Sequence, residues 1–257
     1  MSEASASDPP PSPSNHIPTI MKKIILAALA LTFTTATLQS CFGGDNENHG
    51  TQIFTPTNQG LTELFADQTL DSIHIVSYDS WTARTENADW FEISDKQCKV
   101  PAGYIVTQTV LIKTTPNTTG KVRSGSIWIH SDYSEYGPLS TNVYQLPWLN
   151  ISVPVPQYEQ VEDKETGDKY AAVKFESPIN AADNYALLAC TVYSEATLTS
   201  DADWLSVNNE DQTLKPGNYG IKFVVSPNND PTDRVAHVTL TSNGVSNVIT
   251  YTQKGKK

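Results

Sequence analysis

One short phrase occurs twice in this chain. Asn87-Ala88-Asp89-Trp90-Phe91-Glu92-Ile93 returns as Asp201-Ala202-Asp203-Trp204-Leu205-Ser206-Val207, 114 positions later. The likeness continues into the flanks. Val100-Pro101-Ala102-Gly103 answers Leu214-Lys215-Pro216-Gly217, and Pro116-Asn117 answers Pro227-Asn228. Arg123 with Ile127 and Ile129 answers Arg234 with Val238 and Leu240. A chain of 257 residues written this way reads as one small unit used twice, and units of roughly 90–100 residues fall in the usual domain range.

The units are built of strands. Ser72-Ile73-His74-Ile75-Val76-Ser77 and Ser126-Ile127-Trp128-Ile129-His130 alternate apolar and polar, and no stretch past the N-terminus keeps an apolar period of 3.6 for three turns. Charged residues make up only 18%, which suits half-buried strands joined by polar turns better than helices. Strands punctuated by turns at intervals of roughly 8–15 residues indicate sandwiches. The predicted layout is a first sandwich over 61–156, interrupted by an aromatic insertion at 131–147, then a charged linker over 157–168 and a second sandwich over 169–257. Pro154 and Pro156 close the last strand of the first unit in this reading.

Ahead of the pair, residues 1–20 are rich in Ser, Pro and Ala and have no means of forming a core, so they read as a disordered extension, with Met21 as the expected start. Lys22-Lys23 and the apolar run from Ile24 to Ala36 make a signal peptide over 21–40, too short to span a bilayer. It ends in Leu38-Gln39-Ser40-Cys41, which resembles the lipobox of bacterial lipoproteins. The resemblance implies cleavage before Cys41, a lipid on the Cys41 thiol, and a membrane partner through that lipid. Residues 41–60 then form a flexible acidic tether. Its Asp45 and Glu47 look like the export signal of surface lipoproteins in the Bacteroidetes group, which implies an outer-membrane protein exposed at the cell surface.

Asp203-Trp204-Leu205-Ser206-Val207, Pro216-Gly217, Asn228, Arg234-Val235-Ala236, Gly244 and the closing Tyr251-Thr252-Gln253-Lys254-Gly255 together resemble the Bacteroidetes-associated carbohydrate-binding often N-terminal (BACON) domain. The first copy keeps Trp81, Trp90, Arg123 and the turns, but carries the insertion and lacks a clean closing Gln-x-Gly. The resemblance implies tandem immunoglobulin-like sandwiches, an all-β fold, and a carbohydrate-linked role.

The chemistry-bearing residues point to binding and not to catalysis. A net charge of −11 repels phosphate backbones, so nucleic acid is not an expected partner. Removal of residues 1–40 takes away two lysines and two acids and leaves that balance unchanged. Past Cys41 the histidines are His49, His74, His130 and His237, and neither they nor Cys98 and Cys190 show nucleophile or metal-ligand spacing. No catalytic residue, metal or cofactor is predicted. Asp89 and Asp203 read as turn residues that bond the local backbone.

Aromatic residues are the candidates for recognition. Trp90 and Trp204 precede an apolar strand in both copies and are expected to be core anchors. Trp128 differs: Ile127 and Ile129 face inward, so alternation turns it outward, where the second copy has Thr239. Tyr133, Tyr136 and Tyr144 lie in the insertion and Trp148 just beyond it. With Trp128 they form either a sugar-stacking surface or, in the reading the sequence favours, a cover that the insertion lays over Trp128. Two functions remain: a glycan-capture or adhesion accessory holding a polysaccharide, or a spacer or docking module for a surface protein.

Overall fold

A computed structural model describes residues 49–55, 61–133, 135, 137–164, 166–207 and 213–256. The extension, the signal peptide, Cys41 and Tyr136 lie outside the described residues. Every regular element among those residues is a strand.

The first sandwich contains β1 (Thr51–Phe54), β2 (Leu61–Leu64), β3 (Leu70–Ser77), β4 (Trp81–Glu86), β5 (Phe91–Ile93), β6 (Gln97–Cys98), β7 (Val106–Thr114), β8 (Arg123–Ser131) and β9 (Leu139–Gln145). The second contains β10 (Asn150–Val153), β11 (Gln157–Glu162), β12 (Lys169–Ile179), β13 (Tyr185–Val192), β14 (Ala196–Ser200), β15 (Leu205–Val207), β16 (Thr213–Leu214), β17 (Gly217–Val225), β18 (Arg234–Ser242) and β19 (Val245–Gln253). A sheet ordered β1-β3-β7-β5 faces one ordered β2-β9-β8-β4-β6, and β10-β13-β17-β15 faces β11-β12-β19-β18-β14-β16. The two sandwiches therefore share one topology, including a parallel pairing of β2 with β9 that is repeated by β12 with β19.

Alternation builds each core. Ile73 and Ile75 on β3, Ile112 on β7, and Ile127 and Ile129 on β8 are buried together with Trp81. Leu188, Phe223, Val238, Leu240 and Tyr251 play that part in the second unit. The β18–β19 hairpin turns on Asn243 and Gly244 alone, both at positive φ (48° and 76°), the geometry of a two-residue turn that Asn-Gly favours.

Strand pairing moves several expected boundaries. Residues 139–145 of the expected insertion are β9, which pairs with β8 from Arg123 opposite Gln145 to Ile129 opposite Leu139, as β19 pairs with β18 from Arg234 opposite Gln253. Gln145 is thus the closing glutamine of the first copy. Asn150–Val153 pairs with β13 and opens the second sandwich instead of ending the first. Gln157–Glu162, expected as linker, is an edge strand along the first half of β12. Thr51–Phe54, expected within the tether, pairs with β3, and His49 just before it bonds Asp79 at 2.6 Å and stacks on Tyr133 with ring centroids 3.6 Å apart. All four differences have one cause: alternation shows which side of a strand is buried, but pairing across sheets is a long-range choice that local pattern does not record.

Trp90 and Trp204 are half-buried, packed against the cores and not inside them. The strands beginning one residue later give the inward positions to Phe91 and Ile93, and to Leu205. Trp81 is the fully buried tryptophan of the first core. Arg234 lies over Trp204 at 4.5 Å from the ring centroid, and Phe91 meets Trp90 edge-on at 4.7 Å.

Candidate functional site

The outer face of the β2-β9-β8-β4-β6 sheet carries Trp128 as alternation requires. The indole is half-buried, directly opposite Arg84 on β4 and Ser140 on β9. Its Nε1–H donates to Ser126 Oγ at 3.0 Å, and the Arg84 guanidinium stands 5.4 Å from the ring centroid. Arg84 is held by Glu86 at 2.9 Å, so the charge beside the indole is locally neutralised. One step along the sheet, Ser126 faces Glu86 and Asn142; two steps along, Ser124 faces Tyr144. Tyr144 is half-buried and pairs with Glu63 on β2. The result is a sheet face bearing an indole and a phenol among hydroxyl and amide groups. Residues 139–145, expected to belong to a cover over Trp128, run beside the indole in the sheet as β9, and among the described residues Arg84 stands over the ring.

Tyr133 is not part of that face, because it stacks on His49 at the end of β8. Trp148 goes elsewhere again. It is buried (6% exposed) between the two sandwiches, 5.9 Å from Tyr158 of β11 at a tilt of 56°. Of the five aromatic candidates, the sheet thus brings Trp128 and Tyr144 onto one surface, and Trp148 into the junction.

The junction was not visible in the sequence. Ala66 belongs to the core of the second sandwich and donates to the Trp148 carbonyl at 3.0 Å. Asp67, fully buried, accepts the Tyr193 N–H at 2.9 Å, and its backbone carbonyl accepts from Asn243 Nδ2 at 3.4 Å. Lys121 also reaches Asp163 at 2.8 Å. Beside these contacts runs a groove of about 250 Å³ lined by Phe65, Trp148, Tyr158, Phe175, Asn150 and Ser152, among others. The polar run over 157–162 concealed Tyr158, because Tyr158 and Val161, three residues apart, fall on opposite faces and leave no apolar alternation to mark a strand.

Other titratable groups serve the fold. Asp201 accepts the His237 N–H at 2.7 Å and His237 Nδ1 at 2.8 Å, which holds its carboxyl below the ordinary range; the backbone-bonding role expected of Asp203 falls to Asp201. Burial pushes the Cys190 thiol up to about 11. Among the described residues no group of three or more His, Cys, Asp or Glu could hold a metal ion.

A family profile described as "Putative binding domain, N-terminal" and named BACON matches residues 79–146 and 194–254, half of the chain. The chain belongs to the BACON family. Both BACON segments start just before the equivalent strands β4 and β14 and stop one residue after the equivalent glutamines Gln145 and Gln253. That agreement independently places β9, and not an insertion, inside the first repeat.

No curated protein matches the chain. Among solved structures, a Bacteroides ovatus GH5 xyloglucanase in complex with a XXXG heptasaccharide is 18% identical over 52% of this chain and 27% of its own, with a TM-score of 0.32. A protein from Bacteroides thetaiotaomicron, solved by NMR, is 16% identical over 40% of this chain and 88% of its own, at 0.25. The Salmonella enterica SafA pilin in complex with the SafB chaperone is 9% identical over 80% and 98%, at 0.31. This chain spans about a quarter of the length of the xyloglucanase that it matches.

Proposed function

We propose that this BACON protein is a non-enzymatic carbohydrate-binding or adhesion accessory, carried at the outer membrane by a lipid on Cys41 and exposed at the cell surface. The observation that carries the binding reading is the outward Trp128 indole on the sheet face, flanked by Ser126, Ser140, Asn142 and an internally neutralised Arg84–Glu86 pair. Aromatic faces stack on the C–H faces of sugar rings while hydroxyl and amide neighbours bond the sugar hydroxyls. The lipobox-like Leu38-Gln39-Ser40-Cys41 supports the anchor.

The test is affinity electrophoresis of the chain from Cys41 onward against a polysaccharide panel, with Trp128→Ala run beside it and melting temperature as the fold control. Retardation of the parent by one or more glycans, with loss of that retardation in the variant, is the expected result. Retardation that survives the substitution removes the Trp128 platform. Membrane fractionation of Cys41→Ala, expected in the soluble fraction, tests the anchor.

A second reading has its own support. The direct contacts of Asp67 with Tyr193, Ser194 and Asn243 hold the sandwiches against each other without a free linker, as a spacer or a protein-docking module requires. Absence of retardation by every glycan tested favours that reading.

A further inference from the structure

We infer that the groove between the two sandwiches is a second subsite, which takes one neutral sugar ring of the same glycan chain that lies across Trp128; this rests on the carbohydrate reading above. The groove has the chemistry of a sugar site, and Phe65 of the first sandwich and Trp148 of the connection complete a wall otherwise built by β10, β11 and β12. Phe65, Trp148, Tyr158 and Phe175 supply its apolar walls. The polar groups in its lining are the Tyr158 hydroxyl, the Ser152 hydroxyl, which donates to the Ala189 carbonyl at 3.3 Å and can still accept, and the Asn150 amide, which donates to Tyr193 Oη at 3.3 Å and keeps its oxygen as an acceptor. No charged side chain is among its lining residues. Its volume of about 250 Å³ is below the roughly 300 Å³ at which pockets for drug-sized ligands begin, which is room for one ring and not for a chain.

The charges around it select for neutrality. Burial, and after it the Glu63 charge, disfavours ionisation of Tyr158, and Glu63 lies on β2 two residues before the groove residue Phe65. Its own protonation is favoured by desolvation, and in its charged form it repels anionic ligands. Lys174, the base on the neighbouring strand, is taken by Glu159 at 2.7 Å. A polyanionic glycan has no counter-charge to meet here.

The groove also continues the Trp128 face. From Trp128 on β8 the outward positions pass through Ser140, Asn142 and Tyr144 on β9 to Glu63 on β2. Phe65, two residues past Glu63, is in the groove wall. Strand spacing and rise put the two ends on the order of 20 Å apart, the reach of an oligosaccharide and not of a single sugar. A ligand using both ends therefore binds more tightly as it lengthens.

Titration calorimetry with neutral glucan, xylan and mannan oligosaccharides, from disaccharides upward, tests this on the chain from Cys41 onward. For the glycan that binds, affinity is expected to step up once the chain spans both ends. Tyr158→Ala and, separately, Asn150→Ala should remove that step, a loss of roughly tenfold, and leave the shortest binding oligosaccharide unaffected, while Trp128→Ala weakens all lengths. The indole N–H resonance of Trp148 should shift with long but not short chains, a readout independent of any variant's stability. Loss in Trp128→Ala alone, with no length step and a silent Trp148, overturns the groove and leaves the Trp128 reading standing. Loss in the groove variants alone, with Trp128→Ala unaffected at every length, overturns the two-ended site and the Trp128 platform with it. Binding by none of these glycans overturns both.

Discussion

The backbone N–H of Tyr193, in the second sandwich, donates to the Oδ2 of Asp67, in the first, at 2.9 Å, and Asp67 has no exposed surface at all. Around that bond the Asp67 carbonyl also accepts from Ser194 Oγ and Asn243 Nδ2, both at 3.4 Å. Those two bonds reach the backbone; of the carboxylate oxygens Oδ2 takes the Tyr193 N–H and Oδ1 has no partner among the described residues, so this buried group is held across the junction by that one bond.

Asp67→Ala leaves the Tyr193 N–H without its acceptor, and a buried donor left unpaired costs about 1–3 kcal/mol. Calorimetry should show the parent unfolding in one transition. In the variant the transition should fall in temperature and broaden or split. An unchanged, single transition would show that the junction carries no coupling.

Arg234 combines three interactions. Its Nε donates to Gln253 Oε1 at 2.8 Å, its Nη2 donates to the Ser226 carbonyl, and its guanidinium covers Trp204. Arg234→Ala should cost about 2–3 kcal/mol in urea denaturation and expose Trp204 to water, shifting its fluorescence to the red. Arg123 reaches Thr115 and Gln145 only at 3.2–3.3 Å, so Arg123→Ala is expected to cost less.

Cys190 is buried in the second core with its thiol raised to about 11, whereas Cys98 is half-exposed. The thiolate is the nucleophile, and at pH 8 only about one Cys190 thiol in a thousand is ionised. Iodoacetamide at pH 8 followed by peptide mapping should label Cys98 and spare Cys190 until denaturant is added. Labelling of both at equal rates in the native protein would contradict this burial.

The same shift makes the second sandwich sensitive to alkali. Burial raises both Cys190 and Tyr251 above their ordinary values, and the Tyr251 hydroxyl donates to the Leu187 carbonyl at 2.8 Å. Both groups stay protonated in the folded chain while the unfolded chain ionises. Their contribution is therefore fully present below the ordinary thiol value and declines as pH rises from about 9 towards 11. Unfolding free energy followed by urea titration should fall by about 2–3 kcal/mol over that window from the thiol alone. Cys190→Ala should reduce the slope.

Gly244 sits at φ 76° in the β18–β19 turn, and an added Cβ there would meet only Thr118 Cγ2, at an ordinary 3.8 Å. Gly244→Ala should cost about 1 kcal/mol through backbone strain alone. A matching loss in a Gly220→Ala control, where φ is unremarkable and the space is open, would contradict that cause.

Much of this was readable in the residues. The doubled Trp phrase, the paired Arg123 and Arg234, and the alternation of Ile127 and Ile129 around Trp128 predicted two like sandwiches and an outward indole, because repetition and a period of two are local properties. The closing Gln145 was missed since Leu146-Pro147 follows it where Lys254-Gly255 follows Gln253. Trp148 was grouped with Trp128 on proximity along the chain, and the fold separates them.

By itself the order of residues determined what each strand hides and what it presents, since side-chain direction is set by the backbone of its own neighbours. Which strand lies beside which was decided only in three dimensions. There β9 joins β8, Asn150–Val153 crosses to the second unit, and the meeting of two finished sandwiches creates the Asp67 junction and completes the Trp148 groove. Those features arise from contacts between residues as far apart as Asp67 and Tyr193, where burial of shared surface, not local periodicity, selects the partner.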